Sequence, residues 1–286
     1  MNESKVSINK LIDDTTNKII KDFSGKGNSA KIRVIDNTIA FMGASGGTGT
    51  STLVANIAYT VAKKGLSVLV VDMNILYPIQ HSLFGLKQEI EKKDLVSFML
   101  GRNSIGDSIE SSKGVSVMYA NNRYLIDYIN CDTSACSSNL ISAIKDIRQL
   151  FDLIIFDCPL RLEFDAINCI LYECDKVYMV FDEGVSPIAN IDRIRKNMQV
   201  SGIETSSKLK VILNKKTNVH YTNYVFDKLA LELIAKLPFD TSIIESSLRG
   251  EIFCEKGASI SKNASLFESG IKDLADKILA EGGYNG

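Results

Sequence analysis

Apolar residues in this chain fall into short continuous runs, separated by stretches in which they recur at helical spacing. Ile39 to Met42, Ser67 to Asp72, Gly114 to Tyr119, Phe151 to Asp157, Asp175 to Phe181 and Leu209 to Asn214 have the density expected of strands covered on both faces. Helical spacing appears at Leu53, Ile57 and Val61, at Leu140, Ile144 and Ile147, at Ile188, Ile191 and Met198, and at Phe267, Ile271, Leu274 and Ile278. Shorter helices are expected over Asp94 to Leu100 and from Ile243 to Gly250, and Pro187 suits the first turn of its helix. Asn121 to Asn139 is polar and irregular, so it reads as a loop and a candidate surface for a partner. Strand-like runs alternating with helices predict an α/β fold: a doubly wound, mainly parallel sheet with helices on both faces.

One junction carries chemistry. The run Ile39 to Met42 breaks into Gly43-Ala44-Ser45-Gly46-Gly47-Thr48-Gly49-Thr50-Ser51-Thr52 and then becomes a helix. A glycine-rich turn between a strand and a helix lets backbone N–H groups converge on an anion at the helix N-terminus. Ser51 stands where a hydroxyl reaches a magnesium ion held by phosphates. A phosphate loop normally ends Gly-Lys-Ser/Thr, its lysine neutralising the outer phosphates. Here Thr50 holds that place, so the loop keeps its shape and loses its charge.

Other residues group with the loop. The strand ending in Asp157-Cys158-Pro159 has the form of a Walker B segment, whose carboxylate holds magnesium through water. Asp72, Asp157 and Asn214 each close an apolar strand, and ligands of such sheets bind at those carboxyl ends. Leu76 to Leu86 is expected to lie over the mouth as a switch-like loop, with His81 an ordinary surface or capping residue. Arg161, Lys215 and Lys216 are the nearby cations able to compensate for the absent lysine.

Ser45-Gly46-Gly47-Thr48-Gly49-Thr50-Ser51 resembles the deviant Walker A loop of the MinD/ParA ATPases, Lys-Gly-Gly-x-Gly-Lys-Thr. The Gly-Gly-x-Gly-Thr-Ser-Thr ending, with Leu237-Pro238-Phe239-Asp240 and a helix ending in Arg249-Gly250, looks most like the pilus-assembly branch called CpaE or TadZ. The resemblance implies a P-loop NTPase fold and binding of ATP or ADP with Mg2+ by residues 45 to 52. It implies magnesium-side roles for Ser51, Asp72 and Asp157, and adenine contacts from Asn214 and Pro238. Ser45 replaces the signature lysine that acts across a family dimer, and Asn74 replaces the second carboxylate of an Asp-x-Asp pair. An amide cannot serve as a base. The three departures together predict weak or absent hydrolysis and no catalytic residue.

That branch implies a localisation or scaffold factor for a pilus or secretion apparatus, a homodimer with proteins of that machine as partners. The alternative is an active ParA-type ATPase in DNA or plasmid partitioning. Net charge is −1, from 33 basic and 34 acidic residues, which argues against a DNA partner. Composition is that of a globular protein, with 45% hydrophobic and 23% charged residues. Six cysteines include no Cys-x-x-Cys pair and are expected to be plain thiols. No apolar leader, no membrane-length run and no basic amphipathic tail like that of MinD is visible. The expected setting is cytoplasmic, with no direct membrane anchor and recruitment to the cell pole or membrane by partners. Residues 1–37 read as an N-terminal helix and linker, and 38–286 as the P-loop domain.

Overall fold

The computed structural model describes residues 36–88, 94–160, 165–217, 231–256 and 261–284. The expected N-terminal helix and Arg161 lie outside them. The elements in chain order are β1 (Thr38–Gly43), α1 (Thr50–Lys63), β2 (Val68–Asp72), α2 (Gln80–Leu83), α3 (Leu95–Met99), β3 (Ile109–Ser112) and β4 (Val115–Met118). There follow α4 (Leu125–Ile129), α5 (Thr133–Ile147), β5 (Leu153–Cys158), α6 (Asp165–Glu173), β6 (Lys176–Phe181) and α7 (Val185–Val200). The last are β7 (Leu209–Lys216), β8 (Glu232–Pro238), α8 (Thr241–Leu248), α9 (Phe253–Lys256) and α10 (Lys262–Glu281).

The eight strands among the described residues form one sheet in the order β3-β4-β2-β5-β1-β6-β7-β8. Every pairing is parallel except the antiparallel β3–β4 hairpin. Strand residues alternate between faces. Ala40, Met42, Leu69, Val71, Ile154 and Phe156 therefore pack beneath α5, α6 and α7, whereas Ile39, Phe41, Val68, Val70 and Ile155 pack beneath α1 and α10. Both sets are buried, which is why the strands read as unbroken apolar runs and the expected doubly wound sheet is observed.

One expectation needs correction. Asn121 to Asn139 is not an irregular loop: α4 occupies part of it, and α5 begins at Thr133, well before Leu140. Asp132 caps α5 by accepting from Ser134 N at 3.0 Å, and Cys136 and Leu140 bury its inner face. Packing and the cap override the weak helix propensity of Thr133-Ser134-Ala135-Cys136-Ser137-Ser138. Strand β3 is too polar to announce itself in the sequence and is held by its pairing with β4.

The chain first shifts from β1 to β2 on one side, and later crosses from β5 to β6, which flanks β1 on the other. The crevice at the carboxyl end of β1 is therefore the reversal point at which such sheets receive ligands. Gly65, at φ +84°, ends α1 and donates to Ala62 O at 2.9 Å. Among the described residues no helix is long and apolar enough to cross a membrane.

Candidate functional site

The loop from Gly43 to Thr50 is shaped by close contacts on one side and open space on the other. A Cβ on Gly43 would lie 2.7 Å from Thr48 Oγ1 and 2.9 Å from Ser45 O. Gly47 and Gly49 both take φ +83°, a conformation that disfavours any side chain. A Cβ on Gly49 would also lie 2.6 Å from Asn214 Nδ2, whereas Cβ positions on Gly46 and Gly47 meet nothing within 4 Å. The bare backbone of Gly46 and Gly47 faces open space.

Side chains from distant elements hold the loop carbonyls. Asn190 Nδ2 on α7 donates to Ala44 O at 3.1 Å, and Lys215 Nζ at the end of β7 donates to Gly47 O at 2.5 Å. Asn214 Nδ2 donates to Thr48 O at 2.8 Å, and Gln80 Nε2 donates to Ser51 O at 3.1 Å. Thr48 Oγ1 lies 3.3 Å from Ser45 O and 3.1 Å from Thr50 Oγ1. The Thr50 hydroxyl is thus engaged within the loop.

An open cleft of about 430 Å³ lies over this loop. Its lining includes every expected residue from Ser45 to Thr52, together with Asn74 and Asp157. Ile79, Ile244 and Leu248, all exposed, give it an apolar rim. Asp72, Asn214 and Pro238 do not line it. Asn214 is buried behind the loop, and Pro238 sits at the end of β8 opposite Lys216. Of the two residues expected to touch adenine, Asn214 is thus one of the clamps of the loop, and Pro238 is placed at the end of the edge strand β8.

Asp72 and Asp157 occupy paired positions at the ends of β2 and β5, both buried. Asp72 Oδ1 accepts from Asn74 N at 3.0 Å, and its Oδ2 accepts from Ile79 N at 2.8 Å and Gln80 N at 2.9 Å. Burial, and secondarily the charge of Asp157, push the Asp72 carboxyl up to about 7, while the three backbone donors oppose this. Burial also raises Asp157, against hydrogen bonds from Ser51 and Gln80. Asp157 Oδ2 accepts from Gln80 Nε2 at 2.7 Å.

The donor set suits magnesium. Ser51 and Asp157 offer hard oxygens at the cleft, and among the described residues no cationic side chain pairs with either buried carboxylate. Both oxygens of Asp72 accept from the backbone that leads into α2. The side chain anchors the segment from Asn74 to Gln80 to the sheet. His81 stacks on Tyr119 with centroids 5.1 Å apart and is not part of the cleft lining.

Sequence reasoning missed Gln80 and Asn190. Gln80 is wholly buried, joins Ser51 to Asp157, and leaves its Oε1 without a partner. A single glutamine between Ile79 and His81 gives no sequence signal of such a position.

Comparison with known proteins agrees with this arrangement. The AAA domain family model matches residues 36–211. The septum site-determining protein MinD of Thermotoga maritima is 27% identical over 256 residues, covering 86% of this chain and 89% of that protein. The ParA family ATPase of Chlorobium tepidum superposes with a TM-score of 0.70 at 18% identity, covering 84% of this chain and 98% of that one. The MinD of Pyrococcus horikoshii, solved with Mg-ADP, gives 0.70 at 20% identity, covering 85% and 95%.

Proposed function

The chain belongs to the AAA-domain family of MinD- and ParA-like P-loop proteins, and we propose that within it this chain binds ATP or ADP with Mg2+ but hydrolyses it weakly or not at all. The carrying observation is a phosphate loop whose glycine geometry is intact while Thr50, in the lysine's place, turns its hydroxyl to Thr48 Oγ1 at 3.1 Å. The nest of backbone N–H groups and the α1 N-terminus favour an anion without that lysine. Ser51 and Asp157 are the residues to hold the magnesium ion, which would supply charge neutralisation at the phosphates. Asn74, in the cleft wall, has no proton-accepting carboxylate. The relative solved with Mg-ADP supports the choice of ligand.

Within this reading the protein acts as a localisation or scaffold factor for a pilus or secretion apparatus, as a homodimer recruited by partners of that machine. The support is the likeness of residues 45 to 52 and 237 to 250 to the CpaE/TadZ branch. An active partitioning ATPase is the weaker reading, because both family lysines are absent at positions 45 and 50. The test is calorimetric titration with ATP, ADP and Mg2+, followed by phosphate release on the same sample. Binding without release is the expected result; sustained turnover would overturn the reading of Thr50 and Asn74. Co-purification with pilus or secretion proteins tests the scaffold role.

A further inference from the structure

Lys215 sits in a bulge of the sheet. The β7–β8 register shifts between Leu213 and Lys216, and Lys215 takes φ +54°, a left-handed conformation that costs a lysine energy. This backbone turn accompanies a side chain laid across the phosphate loop: Nζ meets Gly47 O, and Cε lies 3.5 Å from where a Cβ on Gly49 would be. Among the described residues it forms no ion pair with a carboxylate, unlike Lys210, which is held by Glu232 and Glu281.

We infer that Lys215 is the cation of the phosphate site, supplying from β7 the positive charge that Ser45 and Thr50 cannot, and thereby setting affinity for nucleoside di- and triphosphates. The inference rests on the nucleotide-binding reading above. Asn214 beside it already fixes the neighbouring carbonyl of Thr48 with a neutral amide, so the loop's shape has its own clamp. What lysine adds is a full charge, which acts beyond hydrogen-bond contact and polarises the Gly47 peptide it touches. The charge comes from a different element than the loop's own lysine and approaches from the Gly47 side.

Calorimetry with ADP, ATP and adenosine on the full chain and on K215M, K215Q, K215R and K216M tests this. Gln keeps a donor for Gly47 O without charge, Arg keeps the charge, and Lys216 is an exposed neighbour. K215M and K215Q are expected to weaken ADP and ATP about ten- to a hundredfold while leaving adenosine unchanged. K215R should recover most of the loss, and K216M should stay near the parent. The parent's ADP affinity should also fall more steeply with salt than that of K215Q. Unchanged ADP binding by K215M, rescue by K215Q, or an equal loss for adenosine would each overturn the charge role and leave nucleotide binding standing. Failure of the parent to bind any nucleotide would instead remove the nucleotide reading, and this inference with it.

Discussion

Gln80 and Asp157 are joined by a buried hydrogen bond of 2.7 Å, and the same Gln80 nitrogen reaches Ser51 O at 3.1 Å. One side chain from the switch segment thus spans the expected magnesium carboxylate and the first turn of α1. Removing it takes one of two side-chain donors, the other being Ser51, from a buried carboxylate, which costs about 1–3 kcal/mol. Q80A is therefore expected to lower stability by that order in urea unfolding. Added Mg2+ and ADP should return part of the loss, because a cation at Asp157 replaces the missing donor. An unchanged unfolding midpoint would show that the contact contributes nothing.

Asp72 gives a pH prediction. Its carboxyl is raised from an unfolded value of 3.8 to about 7, so the folded state holds the proton more tightly. Its contribution to stability is fully present below pH ~4 and is lost as pH rises through ~7. The ligand-free protein should therefore lose stability relative to D72N across this interval, by a few kcal/mol at most. Stabilisation by Mg2+ should grow over the same interval, as the carboxylates ionise. Urea unfolding of both proteins from pH 5 to 8, with and without Mg2+, checks this; a constant difference would refute it.

Two glycines separate shape from access. G49A forces a side chain onto φ +83° and into Asn214 Nδ2, and should cost of order 1–3 kcal/mol and abolish nucleotide binding. G46A meets open space and should melt within a few degrees of the parent, while its methyl obstructs the phosphates. Thermal melts paired with ADP titration distinguish the two outcomes.

Restoring the loop lysine tests the loss of turnover. T50K breaks the contact between the Thr50 and Thr48 hydroxyls and returns a cation to the helix start. Affinity for ADP and ATP should rise about tenfold or more, whereas phosphate release should increase appreciably only when N74D is added. Turnover by T50K alone would show that Asn74 is not limiting.

The free thiols of Cys131 and Cys136 touch each other at the start of α5, near enough to be joined as a disulfide with little movement of the backbone. Oxidised glutathione should therefore join them, the two thiols losing two electrons and two protons to its disulfide. Burial pushes the Cys136 thiol up to about 12, so the reaction should be slow at neutral pH. Intact-mass measurement with C136S as control should show loss of two hydrogens in the parent only. Glutathione adducts without that cross-link would count against it.

The sheet and the loop were legible because each depends on local pattern. Strands buried on both faces must be continuously apolar, and a phosphate loop needs glycine where φ is positive, as at Gly47 and Gly49. Asp157 was legible because it closes such a strand. The clamps were not. Gln80 meets Asp157 across 77 residues and Asn190 meets Ala44 across 146, and polar side chains at such separations look solvated until the fold brings them together. Lys215 could be named as a nearby cation, but its reach to Gly47 depends on a bulge that no local pattern announces. Nor does Asn214 show in sequence that its amide faces the loop.

The two margins of the sheet bear on how copies of this chain could assemble. One ends in β3, four residues paired backwards onto β4 and bearing Glu110, Ser111 and Ser112. The other ends in β8, where Glu232 and Lys210 form an ion pair at the rim and Lys277 Nζ donates to Ile234 O. Short, polar or charged borders discourage a foreign strand from zipping on. Filament growth by lateral sheet extension is therefore disfavoured, and any oligomer should meet through helices and connecting segments.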